Sequence, residues 1–274
     1  MIESKATKLL LASYILLVIW WLYIQFLRTT DSPVNYWFVF AYGLVPLFGG
    51  INGLFLSRKW GSFKSAMGSA VLYLSLGLIT WGIGETIWSY YILGLNVEIP
   101  YPSLADASFI LSWPLWSMGV INLSKATGIK FSLRNVRGKL LLLVVPFLVI
   151  SASYYLLYVV ARDSTIDLSS EYLKLFFDLL YPIWDVILLT LVLLVYGLSF
   201  GFLGGRFKFP ITLILLGFVV NYFADMGLSY QSTVETFYNG GFVDLLFASA
   251  MFLLTYGTNA LDVKYSDSVR SGSS

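Results

Sequence analysis

The chain contains eight stretches that are apolar and long enough to cross the hydrocarbon core of a bilayer, which takes about 20 residues of helix. They cover approximately residues 8–28, 36–57, 65–95, 104–124, 138–161, 172–200, 208–229 and 241–262. Charged residues make up only 12% of the 274 residues, whereas about a quarter is usual in a soluble domain. We therefore predict an all-α, polytopic membrane protein with eight transmembrane helices.

The distribution of lysine and arginine predicts how these helices are oriented. Fourteen of the 17 basic residues fall at the N-terminus, at every second connection and at the C-terminus. The other three are Arg28, Arg162 and Lys174. Because basic residues concentrate on the cytoplasmic side of membrane proteins, we expect an integral protein of the cell membrane with both termini in the cytoplasm.

The second half of the chain matches the first half in three ordered blocks. The matches pair Pro46 with Pro182 at an offset of 136 residues, Glu85 with Asp225 at 140, and Asp106 with Asp244 at 138. A shift of four helices keeps both halves in the same orientation, so the matches predict a parallel 4+4 internal repeat.

These observations predict a simple domain organisation. Residues 1–264 form a single membrane domain, with repeat halves at about 1–130 and 131–264. Residues 265–274 are polar and rich in serine, and we expect them to form a disordered tail.

Histidine and cysteine are both absent from the chain. Their absence excludes histidine-ligated haem, cysteine–histidine zinc sites, Ser-His-Asp catalysis and disulfides. The net charge of +2 does not suggest a nucleic-acid partner. We therefore expect no cofactor and no enzymatic activity, and any binding must use carboxylates, amides, hydroxyls and aromatic rings.

Six acidic residues lie within the predicted helices, all in the outer half. They are Glu85, Asp106, Asp178, Asp185, Asp225 and Asp244. A charged carboxylate at the centre of a bilayer costs about 2.5–3.5 kcal/mol, so these groups need water, protons, cations or hydrogen bonds. Asp106 follows Ser103 at capping-box spacing, and Asp244 follows two glycines similarly, so we interpret both first as capping acids and second as site residues.

The other four acids lie on polar helix faces. Asp178 and Asp185 are two turns apart with Tyr181 between them, and Asn221 and Asp225 are one turn apart. We predict that these faces form one outward-facing acidic and aromatic cavity. Its candidate ligand-binding residues are Glu85, Asp178, Asp185, Asp225, Asn221, Trp81, Trp88 and Tyr181. The alternative is that these side chains only form hydrogen bonds that hold the helices together.

Three segments resemble a known family. They are Gly-Glu-Thr-Ile-Trp-Ser-Tyr-Tyr at 84–91, Pro-Tyr-Pro-Ser-Leu-Ala-Asp at 100–106 and Leu-Tyr-Pro-Ile-Trp-Asp at 180–185. Together with Trp-Pro-Leu at 113–115, they are similar to the multi-span membrane input domain that precedes bacterial diguanylate cyclases and histidine kinases. The resemblance covers about residues 35–260 and implies a sensory role. In that family a cyclase or kinase domain follows, so we expect this chain to pass its signal to a separate membrane or cytoplasmic partner.

Three hypotheses for function follow. The first is a non-enzymatic membrane sensor or binding module whose cavity takes a small molecule, a lipid or a cation. The second is a proton- or cation-coupled transporter, because a parallel repeat and unpaired acids are found in such proteins. The third is a subunit of a larger membrane assembly. In all three the lipid bilayer is a partner.

Overall fold

The computed structural model describes residues 5–127, 134–165, 171–199 and 207–262. Within these ranges the fold contains eight long helices and no strands, and each helix is long and apolar enough to cross a membrane. The helices are α1 (Lys5–Leu27), α2 (Pro33–Lys59), α3 (Ala66–Leu93), α4 (Leu104–Ala126), α5 (Val136–Ser153), α6 (Tyr172–Ser199), α7 (Lys208–Thr233) and α8 (Phe242–Asn259). The prediction of an all-helical fold with eight helices long and apolar enough to cross a membrane is confirmed in the described residues, whereas the predicted tail at 265–274 lies outside them.

Serine side chains define where three of the helices begin. Ser32 and Ser65 cap α2 and α3 by accepting hydrogen bonds from the backbone N–H groups of Val34 and Gly68. Ser103 and Asp106 form the predicted capping box at the start of α4. Such caps satisfy N–H groups that have no partner inside the helix. At the far end of α5, residues Tyr154–Val160 continue the span as a π-helix.

The two helical hairpins α3–α4 and α7–α8 are packed by reciprocal contacts between glycines and large side chains. In each hairpin a glycine on either helix faces a bulky residue on the other, which lets the two backbones approach closely. The contacts are Gly77 with Trp116 and Gly119 with Leu74 in α3–α4, and Gly217 with Leu254 and Gly257 with Ile214 in α7–α8.

Polar contacts at a seven-residue spacing on α2 connect it to α8. Asn35 donates to the backbone oxygen of Asn239, just before α8, at 2.7 Å. Tyr42 donates to the Asp244 carboxyl at 3.2 Å, and the oxygen of Gly49 accepts from the Asn259 side chain at 3.0 Å. Seven residues make about two helical turns, so these contacts follow one face of α2 from its first turn to Gly49.

The α4–α6 pair has the same kind of contacts. Tyr181 of α6 donates to the Asp106 carboxyl at 3.0 Å, and Trp113 of α4 donates to the Asp185 carboxyl at 3.1 Å. At the other end of the pair, the hydroxyls of Thr127 and Ser199 are 2.9 Å apart. The α4 residues are again spaced by seven or a multiple of seven. Each half of the chain is thus attached to the other through its second and fourth helices.

On the C-terminal side of Tyr42, α2 packs tightly against α3 and α8 through glycines. A Cβ atom added at Gly50 would lie 2.7 Å from the backbone oxygen of Ser75 and 3.1 Å from the backbone nitrogen of Ile79. Gly49 is equally close to Thr255 of α8. The contacts at Gly50 involve backbone atoms, which cannot rotate away, so there is no room for a side chain at this position.

We predict that Gly50→Ala lowers the free energy of unfolding by about 1–3 kcal/mol, the usual range for overpacking. Gly197→Ala is the matched control, because the nearest atom to a Cβ there is 3.5 Å away and alanine is the better helix former. Thermal unfolding of the two variants in detergent measures the difference. Equal stability of the two variants would contradict the packing described.

Candidate ligand-binding cavity

A cavity of about 550 Å³ lies at the end of the bundle where α3 connects to α4, α5 to α6 and α7 to α8. All six carboxyl groups identified within the spans line it: Glu85, Asp106, Asp178, Asp185, Asp225 and Asp244. They come from α3, α4, α6, α7 and α8. Residues that are far apart in the sequence therefore meet around one space.

The first acid cluster consists of Glu85, Tyr42 and Asp244. The Tyr42 hydroxyl lies between the two carboxyls, within reach of Glu85 while donating to Asp244 at 3.2 Å. Asp244 also accepts a hydrogen bond of 2.5 Å from the backbone N–H of Gly240. Gly43 makes room for Glu85, since a Cβ at residue 43 would lie 2.5 Å from Glu85 Cγ.

The carboxyl of Glu85 has no hydrogen-bond donor of its own, because it shares Tyr42 with Asp244. Its side chain is only 4% exposed, yet it lines the cavity. The single hydroxyl hydrogen of Tyr42 can serve only one carboxyl at a time. When Tyr42 donates to Asp244, no other described residue donates to Glu85. A buried carboxyl without a donor is unfavourable, so this position favours a ligand or water that brings one.

The second acid cluster consists of Asp185 on α6 and Asp225 on α7. The two carboxyls lie within hydrogen-bonding reach of each other. Trp113 donates to Asp185 at 3.1 Å, and Asn221 donates to Asp225 at 2.6 Å. Two adjacent carboxyls cannot both remain ionised without a proton or cation between them. A proton held between the two carboxyls, or a cation in its place, meets this requirement.

Asp106 has both roles that its sequence position suggested. Its carboxyl accepts from the backbone and side chain of Ser103 at 2.7 and 2.9 Å, which completes the capping box. The same side chain accepts from the Tyr181 hydroxyl at 3.0 Å and lines the cavity. Asp244 is likewise held by a backbone N–H in the first turn of its helix. Capping and cavity lining are therefore compatible.

We call the part of the cavity lined by Tyr101, Asp178, Arg162 and Lys174 its mouth. The mouth carries charges of both signs. Tyr101 donates to the Asp178 carboxyl at 2.8 Å. Burial, followed by the neighbouring Asp178 carboxylate, raises the pKa of the Tyr101 phenol, so the phenol keeps its proton and remains a donor. Arg162 and Lys174 also line this region. No other lysine or arginine lines the cavity in the part of the chain that the structure describes.

Aromatic rings form much of the cavity wall. They belong to Tyr42, Trp81, Trp88, Tyr101, Phe109, Trp113, Tyr181, Phe237 and Phe247. Trp81 lies at the centre of one group, with ring centroids 5.5 Å from Phe109 and 5.9 Å from Phe247. Aromatic faces attract cations, so these walls add to the preference that the carboxyls create.

Of the eight residues predicted as a cavity, seven line it: Glu85, Asp178, Asp185, Asp225, Trp81, Trp88 and Tyr181. The eighth, Asn221, lies behind Asp225 and holds its carboxyl. The sequence interpretation missed Tyr42, Trp113, Tyr101 and the two basic residues of the mouth. The spacing of Asn35, Tyr42 and Gly49 was a usable signal for Tyr42, and the exceptional outer positions of Arg162 and Lys174 were a signal for the mouth.

The acids are arranged in pairs rather than in threes. In the described part of the chain, no group of three or more acidic residues is placed to hold a metal ion. Divalent cations such as calcium usually take six or more oxygen ligands.

Comparison of the chain with protein-family models, with curated proteins and with solved structures finds no match. We therefore infer its function from the geometry and charge of the cavity.

We predict that Tyr42→Phe destabilises the protein by about 1–3 kcal/mol, because it leaves Asp244 and Glu85 without their shared donor. Tyr36→Phe is the control. It lies on the same helix and also loses a hydrogen bond to an aspartate, Asp31, but at an exposed site, where we expect a change within about 0.5 kcal/mol. Thermal unfolding tests this, and equal effects would contradict the first acid cluster.

Proposed function

We propose that this chain is a non-enzymatic membrane sensor that binds a small organic cation in its cavity. The observation that carries the proposal is the convergence of six carboxyls and nine aromatic side chains on one space of about 550 Å³. That volume is within the range of about 300–1,000 Å³ typical of small-molecule sites.

The charge of the lining supports a cation. Both acid clusters need positive charge or donors, and the two basic residues lie at the mouth rather than beside the clusters. An organic ammonium supplies several N–H donors and no acceptor. Its apolar part can lie against the aromatic walls, where cation–π attraction contributes further.

The packing below the cavity supports binding rather than transport. Gly49 and Gly50 bring α2 into close contact with α8 and α3, which opposes a path between these three helices. Proton- or cation-coupled transport is the second candidate, because carboxyl pairs inside membranes are common in proton pathways. A path between α2, α3 and α8 would require these helices to separate at this level.

We also propose that the fold is a parallel 4+4 repeat with the cavity on the outer side. The glycine contacts of α3–α4 recur in α7–α8, and the α2–α8 and α4–α6 contacts have the same form. The basic residues at alternate connections support cytoplasmic termini. Tyr101 and Phe237 line the cavity and lie in connections that this orientation places outside.

A route for the signal is available through α8. Its first turn supplies Asp244 to the cavity, and its last turn contacts α2 through Asn259. Just beyond it, the Leu261 backbone oxygen accepts from Trp60 at 2.7 Å. A ligand that changes the position of Asp244 can therefore alter the inner end. The resemblance to input domains of cyclases and kinases supports a separate signalling partner there.

Labelling of an introduced cysteine tests this proposal, since the chain has no cysteine of its own. Ser229 lines the cavity, so we expect Ser229→Cys to react with a membrane-impermeant maleimide added to the outside of intact cells. Ser117→Cys is the control, because Ser117 is buried and does not line the cavity. We expect protonated n-butylamine or n-propylamine to slow the reaction at residue 229, and butyrate to leave it unchanged.

Absence of labelling at residue 229, or labelling that neither cation slows, would overturn the binding proposal. Transport is tested separately in proteoliposomes with an imposed proton gradient. We expect no proton flux above that of empty liposomes when n-butylamine is added. A flux that disappears in Asp185→Asn would favour the transporter instead.

A further inference from the structure

We propose that the ligand is a linear dication, a short α,ω-diamine whose two ammonium groups bind the two acid clusters. This inference rests on the proposed function and narrows its ligand class. One end would meet Glu85 and Asp244, and the other would meet Asp185 and Asp225.

The number of charges favours two ammonium groups over one. Each cluster holds two carboxyls, and no lysine or arginine of the described chain lines the cavity beside either cluster. One ammonium ion placed in one cluster leaves the other pair of acids without a cation. A dication supplies positive charge to both pairs.

Each cluster contains one carboxyl from a pair of corresponding helices and a second carboxyl from helices that do not correspond to each other, Asp244 on α8 and Asp185 on α6. Glu85 on α3 and Asp225 on α7 are the residues that the internal match pairs at an offset of 140. Each has a second carboxyl within reach, Asp244 for Glu85 and Asp185 for Asp225. Two similar subsites suit a ligand with two identical ends.

The hydrogen-bond needs of the clusters match a primary ammonium group. Glu85 has no donor of its own when Tyr42 donates to Asp244. Asp185 and Asp225 receive one donor each, from Trp113 and Asn221, and otherwise face one another. A primary ammonium group has three N–H donors and no acceptor, so it can bridge two carboxyls. A quaternary ammonium group cannot donate.

The aromatic wall near the two acid clusters suits the methylene chain that joins the two ammonium groups of the diamine. Trp81 is one helical turn from Glu85 and contacts Phe109 and Phe247. Trp113, which donates to Asp185, also packs against Tyr181 with centroids 5.4 Å apart. All five rings line the cavity. Methylene groups gain from burial against such surfaces, whereas a polar spacer would lose its water.

The test compares putrescine with n-butylamine, which has the same carbon chain and only one amino group. Binding to the purified protein in detergent is followed by the fluorescence of its nine tryptophans. We expect putrescine to bind at least about tenfold more tightly, which corresponds to about one additional charge-assisted hydrogen bond.

Variants of each cluster separate the two ends. We expect Glu85→Gln and Asp225→Asn each to reduce the advantage of putrescine over n-butylamine to within about twofold, a difference well under that of one hydrogen bond. Asp31→Asn is the control, because it removes an exposed carboxyl from the same end of the bundle that does not line the cavity. It should keep the full advantage.

Equal binding of putrescine and n-butylamine to the unaltered protein would overturn the dication proposal and leave the proposed function standing. An advantage that survives in both cluster variants would also overturn it. Failure of both amines to bind would overturn the proposed function together with this inference.

Discussion

The constraint on which the rest of the structure depends is the placement of six carboxyl groups inside membrane-length helices, where Arg162 and Lys174 are the only basic residues of the described chain that line the same cavity. Carboxylates at this depth are unfavourable unless they are paired, hydrogen-bonded or hydrated. The described chain provides donors from Tyr42, Trp113 and Tyr181 and from backbone N–H groups at the starts of α4 and α8. The three side-chain donors also join helices from the two halves, so they both satisfy the acids and hold the halves together.

In the proposed sensor, the same contacts connect the ligand to the opposite end of α8. Tyr42 and Asn259 connect α2 and α8 at opposite ends, and both helices are closely packed between these points. A cation that competes with Tyr42 for the carboxyl of Asp244 or Glu85 weakens the hydrogen bond between α2 and α8 at one end of this closely packed helix pair. Transmission through such a pair needs no flexible domain, which agrees with a sensor whose output lies in a separate partner.

The sequence predicted the parts that depend on local pattern. Hydropathy located all eight helices to within a few residues, and the Ser103–Asp106 spacing identified a capping box that the structure contains. The sequence also identified the six acids, because charged residues are rare inside apolar spans. The hydrogen-bond partners of those acids on other helices could not be predicted from local sequence pattern. Trp113 and Asp185 are 72 residues apart, and only the packing of α4 against α6 decides that they meet.

The central claim is that the cavity is an open, negatively charged site. The most direct test is the rate at which Ser229→Cys reacts with two methanethiosulfonate reagents of similar size, one carrying a trimethylammonium group and the other a sulfonate. Their reactivity is normalised to that of a free thiol in solution. The account predicts that the cationic reagent reacts at least about tenfold faster, since local potentials of this kind change encounter rates by about 10–1,000-fold. Equal rates, or a faster anionic reagent, would contradict it.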